Sequence, residues 1–180
     1  MGNRVAILAD TSTEIHEHAE LAHRNAEGGI ILVPVDFSDH SEAALVKAAE
    51  YAQAMSASLV ALHVVHDPGE MPGYYSKLIK KKRATRIQDM AAEAFDQFMD
   101  GASEQNPQFE SLRDAGRLMV SGLPVTRILE VVDHLEPMMV VMGSQGRTGL
   151  KHLFIGSKAA QIVQLCPVPV TIVKIPGTSE

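Results

Sequence analysis

Five apolar residues at 138–142, MMVVM, run directly into a segment with glycines at positions 143, 146, 149 and 156. So short an apolar run, closed at once by glycine, is the pattern of a strand buried on both faces, as in a parallel sheet. The loop after it constrains the chain further. Glycine lets backbone N–H groups turn toward an anion and approach it with no Cβ in the way, and successive exposed N–H groups form a concavity that favours phosphate. Gly156 and Ser157 stand just before a helical stretch at 158–165, whose N-terminus offers a second set of N–H groups and a hydroxyl. Both sets are expected to meet at one phosphate tail.

The spacing excludes the common phosphate loops. A Walker A loop needs a Gly-Lys pair and the chain has none; the fingerprint G-x-G-x-x-G also fails in this segment. What stands there is Gly143, two residues, Gly146, nine residues, then Gly156-Ser157. That pattern resembles the nucleotide-binding signature of the universal stress protein family, in its ATP-binding branch. The likeness, including the order of elements, covers residues 29–175. A flexible glycine-rich connection between strand and helix is the competing reading.

With 180 residues the chain has length for one domain with a proper core and an appendage. Its apolar share of 46% and charged share of 21% are those of a globular protein, which argues against disorder. A formal net charge of −6 gives no general attraction to nucleic acid or to an acidic membrane, although a local basic patch is compatible with it. The single cysteine, Cys166, cannot form an intrachain disulfide and reads as a small hydrophobe before Pro167. The apolar run at 5–9 is too short for a signal peptide and is broken by Asp10, and no run approaches a membrane span. A cytoplasmic protein without membrane insertion is expected.

Residues 1–28 are rich in Glu, His and Ala, weakly periodic, and read as an extension, arm or helix, ahead of a domain at 29–180. His16, His18 and His23 have no cysteine or well-spaced carboxylate to complete a metal site, so a solvated helix or arm outranks ligation. A docking segment for a partner stands equally open. Residues 30–35 form the first strand of the domain and lead into Asp36-Phe37-Ser38. Asp39 and Glu42 read as a capping-box pair for a helix with Leu45, Ala48, Ala49, Ala52 and Met55 on its inner face. Residues 58–65 are the second strand, parallel to the first through a right-handed crossover.

A loop through Tyr74-Tyr75 precedes a long helix carrying Ile87, Met90, Ala91, Ala94, Phe95 and Phe98, with Lys77, Lys80, Lys81, Lys82, Arg83 and Arg86 in its first turns. That basic run reads first as a solvated face, and second as a cover for phosphates or an acidic partner. Residues 112–120 are the least clear strand, because Arg113, Asp114, Gly116 and Arg117 interrupt its apolar character, and an edge position is expected for it. A helix opened by Gly122 and Pro124, the strand at 138–142, the helix at 158–165 and a fifth strand at 168–174 complete the pattern. Five parallel strands alternating with helices make an α/β, doubly wound open sheet with helices on both faces.

In such sheets ligands sit outside the carboxyl ends of the strands, where the winding reverses. The family resemblance implies a Rossmann-like, adenine-nucleotide alpha hydrolase-like sheet of order 3-2-1-4-5, which puts the reversal between the strands ending in Asp36 and Gly143. It further implies a pocket in which Pro34, Val35 and Asp36 hold adenine and its polar edge, and His63 and Val64 contact the base. Met142, Gly143 and Ser144 would form the turn into the loop, Gly146 the phosphate approach, and Gly156, Ser157 and the N–H of Lys158 the second donor set. Asp36 as a local turn residue or cap for Ser38, and His63 as a satisfied core histidine, are the plainer roles. Arg147 and His152 are placed either to reach phosphates or simply on the surface. On this assignment, Gly143→Val or Gly156→Val is expected to abolish nucleotide binding and leave the fold.

The resemblance implies an ATP-binding regulatory protein acting as a nucleotide-dependent switch, with ATP, AMP or ADP as ligand and Mg²⁺ or Mn²⁺ accompanying the phosphates. It also implies a homodimer through the fifth strand, residues 168–174, where Val168, Val170 and Ile172 alternate with Pro169, Thr171 and Val173. Protection of that edge by Pro169, Lys174 or the N-terminal arm is the alternative. Two other functions compete. A slow ATPase or phosphoryl or adenylyl-transfer enzyme needs an acid-base pair, and none declares itself near Asp36, His66, Arg147 and His152. A nucleotide-free module regulating a transporter or enzyme conflicts with the intact motif.

Overall fold

The computed structural model describes residues 7–8, 28–65, 76–146 and 155–175, with side chains at all of these except 7–8 and 76–85. In chain order the elements are β1 (Ile7–Leu8), β2 (Ile30–Val35), α1 (Asp39–Met55), β3 (Ser58–Val65), α2 (Ser76–Gln105), α3 (Glu110–Arg113), β4 (Gly116–Ser121), α4 (Pro124–Leu135), β5 (Met139–Gly143), α5 (Ser157–Leu165) and β6 (Val170–Val173). The strands form one parallel sheet in the order β1-β4-β3-β2-β5-β6. The five expected strands take the expected 3-2-1-4-5 order. A sixth strand is added: within the segment read as an arm or helix, Ile7 and Leu8 pair with Leu118 and Met119 on the outer side of β4. The strand expected at the edge is thereby covered.

Strand geometry sorts the core into two layers, since successive side chains point to opposite faces. Ile31, Val33 and Val35 of β2 face one layer, with Leu45 of α1, Phe95 and Met99 of α2 and Leu112 of α3. Ile30 and Leu32 face the other, with Ile128, Val131, Val132 and Leu135 of α4 and Ile162 of α5. Fully burying one such side chain is worth about 1.5–3 kcal/mol, so the double-sided burial of β2 makes it the spine of the sheet. The inner face of α1 is mostly alanine, Ala44, Ala48, Ala49 and Ala52, and side chains this small let the helix lie close to the strands.

Three local expectations are corrected. The capping box of α1 is made by Ser38 as N-cap and Ser41 at the third helical position, not by Asp39 and Glu42. Asp39 begins the helix, and the hydroxyls one turn apart satisfy the first N–H groups better than a carboxylate already inside it. The segment 112–120 is not one strand: Glu110–Arg113 form a helical turn that buries Leu112, and the strand starts at Gly116. The helix after the glycine segment is capped by Gly156, with Ser157 as its first residue.

Arg117, read from sequence as an interruption of its strand, is a core residue. Its guanidinium lies 2.6 Å from Asp96 and 2.6 Å from Asp100 of α2, with its side chain 2% exposed. The planar fork of arginine suits two carboxylates at once. A charge on β4 is thus buried because α2 carries its partners one helical turn apart.

Candidate functional site

The crevice follows from how far each strand pair runs. β2 pairs with β3 along its whole length, from Ile30 opposite Ser58 to Val35 opposite His63. With β5 it pairs only at Ile31 opposite Met139 and Leu32 opposite Val140. Beyond Leu32 the β2–β5 ladder ends, and the last three residues of β2, about 10 Å of strand, run on beside β3 to Asp36 at the candidate cleft. β2 is also where the winding reverses, the position at which doubly wound sheets hold ligands.

Asp36 stands at the end of β2 on this cleft. Its Oδ1 accepts hydrogen bonds from the Ser38 hydroxyl at 2.5 Å and the Ser38 N–H at 3.3 Å. Its backbone N–H lies 3.4 Å from Ser41 Oγ. The plainer role of Asp36, as acceptor for Ser38, is therefore present, and it also orients the carboxylate. Across the cleft, Gly146 is so close that a Cβ built on it would fall 2.5 Å from Asp36 Oδ2. The juxtaposition of first-strand carboxylate and glycine loop is real, and Gly146 is the glycine that makes it possible.

The other glycines do different work. A Cβ on Gly143 would meet the backbone of His40, with the carbonyl oxygen at 2.6 Å and the carbonyl carbon at 2.7 Å. Gly143 thus lets the first turn of α1 press against the end of β5, and the expectation that it can be replaced without harm to the fold is corrected. A Cβ on Gly156 would make only ordinary contacts with the described residues, Ser144 O at 3.5 Å and Gln145 Cα at 3.7 Å. The Gly156 N–H donates to Ser144 O at 2.7 Å, while the Ser144 N–H donates to Val173 O at 2.8 Å. Ser144, 3% exposed, is therefore the knot that ties β5, β6 and the start of α5 together. Gly156, the N-cap of α5, has no side chain with which to cap it, and a helix start of this kind leaves N–H groups that suit an anion.

Around the base-side wall, His63 Nδ1 is 2.9 Å from Val35 O, and the imidazole stacks on Phe37 with centroids 4.2 Å apart. The satisfied-histidine role is thus present, as a prop for the end of β2. Phe37 has φ of 63°, a left-handed conformation costly for a bulky residue, and packs on Phe95 and Phe98 of α2. Pro34 and Val64 are partly exposed near the strand ends, whereas the side chains of Val35 and Met142 point into the two core layers. Ser157 and Lys158 are exposed at the start of α5.

Arg147, His152, His66 and Gly149 lie outside the described residues, as do His16, His18 and His23 and the side chains of the basic run up to residue 85. Residues that sequence reasoning did not single out as supports, Ser38 and Ser41, carry the carboxylate's geometry; the signal was the serine pair three apart right after the strand. His40 Nδ1, in the first turn of α1 against Gly143 of β5, is buried with no hydrogen-bond partner among the described residues. Among the described residues no three His, Cys, Asp or Glu side chains converge as a metal cage. No helix among the described residues is long and apolar enough to cross a membrane.

With this geometry in place, comparison with known proteins is informative. Residues 29–174 match the model of the universal stress protein family. The chain is similar to the universal stress protein MJ0531 of Methanocaldococcus jannaschii, with 27% identity over 146 residues that cover 81% of this chain and 82% of the relative. The structure of the universal stress protein UspA of Lactobacillus plantarum superposes with a TM-score of 0.67 at 27% identity, covering 83% of this chain and 99% of that one. A universal stress protein solved in complex with cAMP shares the fold, at 22% identity and a TM-score of 0.57, over 81% of this chain and 96% of that one. A family model that spans the whole sheet from β2 to β6, together with these likenesses, makes the chain a member of the universal stress protein family.

Proposed function

We infer that the chain binds an adenine nucleotide in the cleft between β2 and β5 and works as a nucleotide-dependent regulatory protein. The observation that supports this reading is the end of the β2–β5 ladder at Leu32, beyond which Asp36 and Gly146 come together at the carboxyl end of the sheet. Asp36 would take a polar group of the nucleoside, with Pro34, Val35, His63 and Val64 forming the wall on the base side. Met142, Gly143, Ser144 and Gly146 would shape the turn beneath the phosphates, and Gly156, Ser157 and Lys158 would supply donors from the start of α5. Arg147 completes the proposed set. The adenine class is supported by the relative solved with cAMP.

ATP is the preferred ligand in this reading, with AMP or ADP as alternatives. Since no cage of protein ligands converges among the described residues, Mg²⁺ or Mn²⁺ would arrive on the phosphates rather than be held by the protein alone. The protein would act in the cytoplasm, as a homodimer joined along β6. Nucleotide would switch it only through unequal affinity for two conformations.

The test is direct. Untagged, freshly purified protein is denatured and the released small molecules are separated by anion exchange, in parallel with Gly156→Val, at a position where an added Cβ makes only ordinary contacts with the described residues. An adenine nucleotide in near-stoichiometric amount, absent from the variant, is the expected result. Protein that is empty, and that binds neither ATP nor AMP nor cAMP when these are added with Mg²⁺, would end the nucleotide reading.

A further inference from the structure

The two edges of the sheet are finished differently. At one, all four residues of β6 are partly exposed, and the strand is bracketed by Pro169 and Lys174, both exposed. Proline lacks the N–H a ladder needs and lysine resists burial, so pairing along this edge, as in the homodimer proposed above, is confined to Val170–Val173. At the other, β4 reads GRLMVS and has no proline. Its one charge, Arg117, is drawn back onto Asp96 and Asp100 of α2, and so does nothing to discourage a neighbour along the strand. Leu118, Met119 and Val120 are all buried. An apolar edge strand without charge, proline or bulge is a template for another strand. The backbone of Ile7 and Leu8 occupies that template, in parallel register with Leu118 and Met119.

We propose that β1 is a tethered edge guard, which occupies the outer backbone groups of β4 and thereby keeps a second copy of this chain from adding there. β1 lies outside residues 29–174, the part that matches the family, so the guard is an addition to the family domain. A strand of two residues holds few hydrogen bonds, and short peripheral elements open at far lower free energy than a core strand does. The guard is therefore releasable. Once released, two β4 edges can pair about a two-fold axis, because an isologous contact needs only one surface that fits itself, and an apolar strand with its charge withdrawn meets that condition. The inference is independent of what occupies the cleft.

The full chain is compared with two variants, the double substitution Ile7→Pro with Leu8→Pro and a deletion of residues 2–8, by light scattering on a sizing column and by hydrogen exchange. Along a parallel edge, alternate residues point their N–H at the neighbour, so the paired prolines remove the donor whichever residue supplies it. The full chain is expected to keep one mass as concentration rises, with the amides of residues 118–120 protected. Both variants should gain mass on concentration by a factor of about two or more, since dimers joined along β6 keep a free β4 edge at each end. Those amides of residues 118–120 that point away from β3 should exchange fast when dilute and slowly when concentrated. A synthetic peptide of residues 1–12 should return them to the parent mass. Loss of protection on β4 with no change in mass at any concentration would overturn the proposal. So would unchanged protection with unchanged mass, because β1 would then not be what covers the edge. Growth in mass while the β4 amides stay fast would place the contact elsewhere and overturn the proposal as well. Should the proline variant fail to fold, the deletion, which leaves β2 to β6 intact, decides.

Discussion

Gly146 and Asp36 face each other across the mouth of the cleft, with a Cβ on the glycine falling 2.5 Å from Oδ2 of the carboxylate. The carboxylate is held in place from behind by the hydroxyl and N–H of Ser38. Gly146→Ala must therefore displace either the loop or the carboxylate, and overpacking of this kind costs about 1–3 kcal/mol. In an Asp36→Ala background the obstacle is gone and the same substitution should be nearly neutral. A double-mutant cycle on urea unfolding measures the difference, and a coupling of about 1 kcal/mol or more is expected. Additive effects would mean that the two residues do not meet in solution.

Gly143 and Gly156 look equivalent in the sequence and should behave oppositely on substitution. A Cβ at Gly143 runs into the backbone of His40, which a side-chain rotation cannot relieve, whereas at Gly156 the nearest atoms stand at ordinary contact distance. Gly143→Ala is expected to lower unfolding free energy by about 1–3 kcal/mol, and Gly156→Ala to change it by less than about 0.5 kcal/mol. Denaturant midpoints at unchanged slope report both values. Loss of nucleotide binding in Gly143→Ala would be uninformative about ligand contact, and in Gly156→Val it would be informative.

The same pair shows where the sequence was legible and where it was not. Apolar periodicity and glycine spacing located every strand from β2 to β6 except the start of β4, because strand burial and helix amphipathicity are written in local patterns. The strand order that brings the carboxylate beside the loop came instead from the family resemblance. Which glycine packs against a helix and which does not is a matter of tertiary packing, and the residue type is the same for both. Arg117 misled for a related reason: its partners Asp96 and Asp100 are remote in sequence, so a buried charge looked like an exposed one. β1 escaped because two residues are too few to show a period.

Arg117 also allows a prediction in which the direction of the asymmetry is the test. Its side chain is 2% exposed, while those of Asp96 and Asp100 are 37% and 48% exposed. Removing the arginine leaves carboxylates that water can reach, but removing both carboxylates leaves a cation buried without compensation, which costs about 3–5 kcal/mol. Arg117→Met, which keeps most of the packed volume, should therefore be milder than Asp96→Ala with Asp100→Ala, by about 2 kcal/mol. Guanidinium would confound a charge effect, so urea melts are the appropriate measurement. Equal losses would show that the arginine finds water or another carboxylate.

Phe37 gives a case in which glycine should outperform alanine although neither restores a contact. The residue sits at φ of 63° while stacking on His63 and packing on Phe95 and Phe98. Alanine loses the ring and keeps the left-handed penalty of about 1–2 kcal/mol, whereas glycine loses the ring and sheds the penalty. Glycine gives part of that back through the greater entropy of its unfolded chain, up to about 1 kcal/mol. The expected order of stability is Phe37, then Phe37→Gly, then Phe37→Ala, with the last two separated by about 0.5–1 kcal/mol. Affinity for adenine nucleotide should fall alike in both variants, because His63 loses the same stacking partner in each. Alanine more stable than glycine would show that the backbone relaxes out of the left-handed region once the ring is gone, and that packing of Phe37 on α2, not the turn itself, imposes the conformation that aims Asp36 into the cleft.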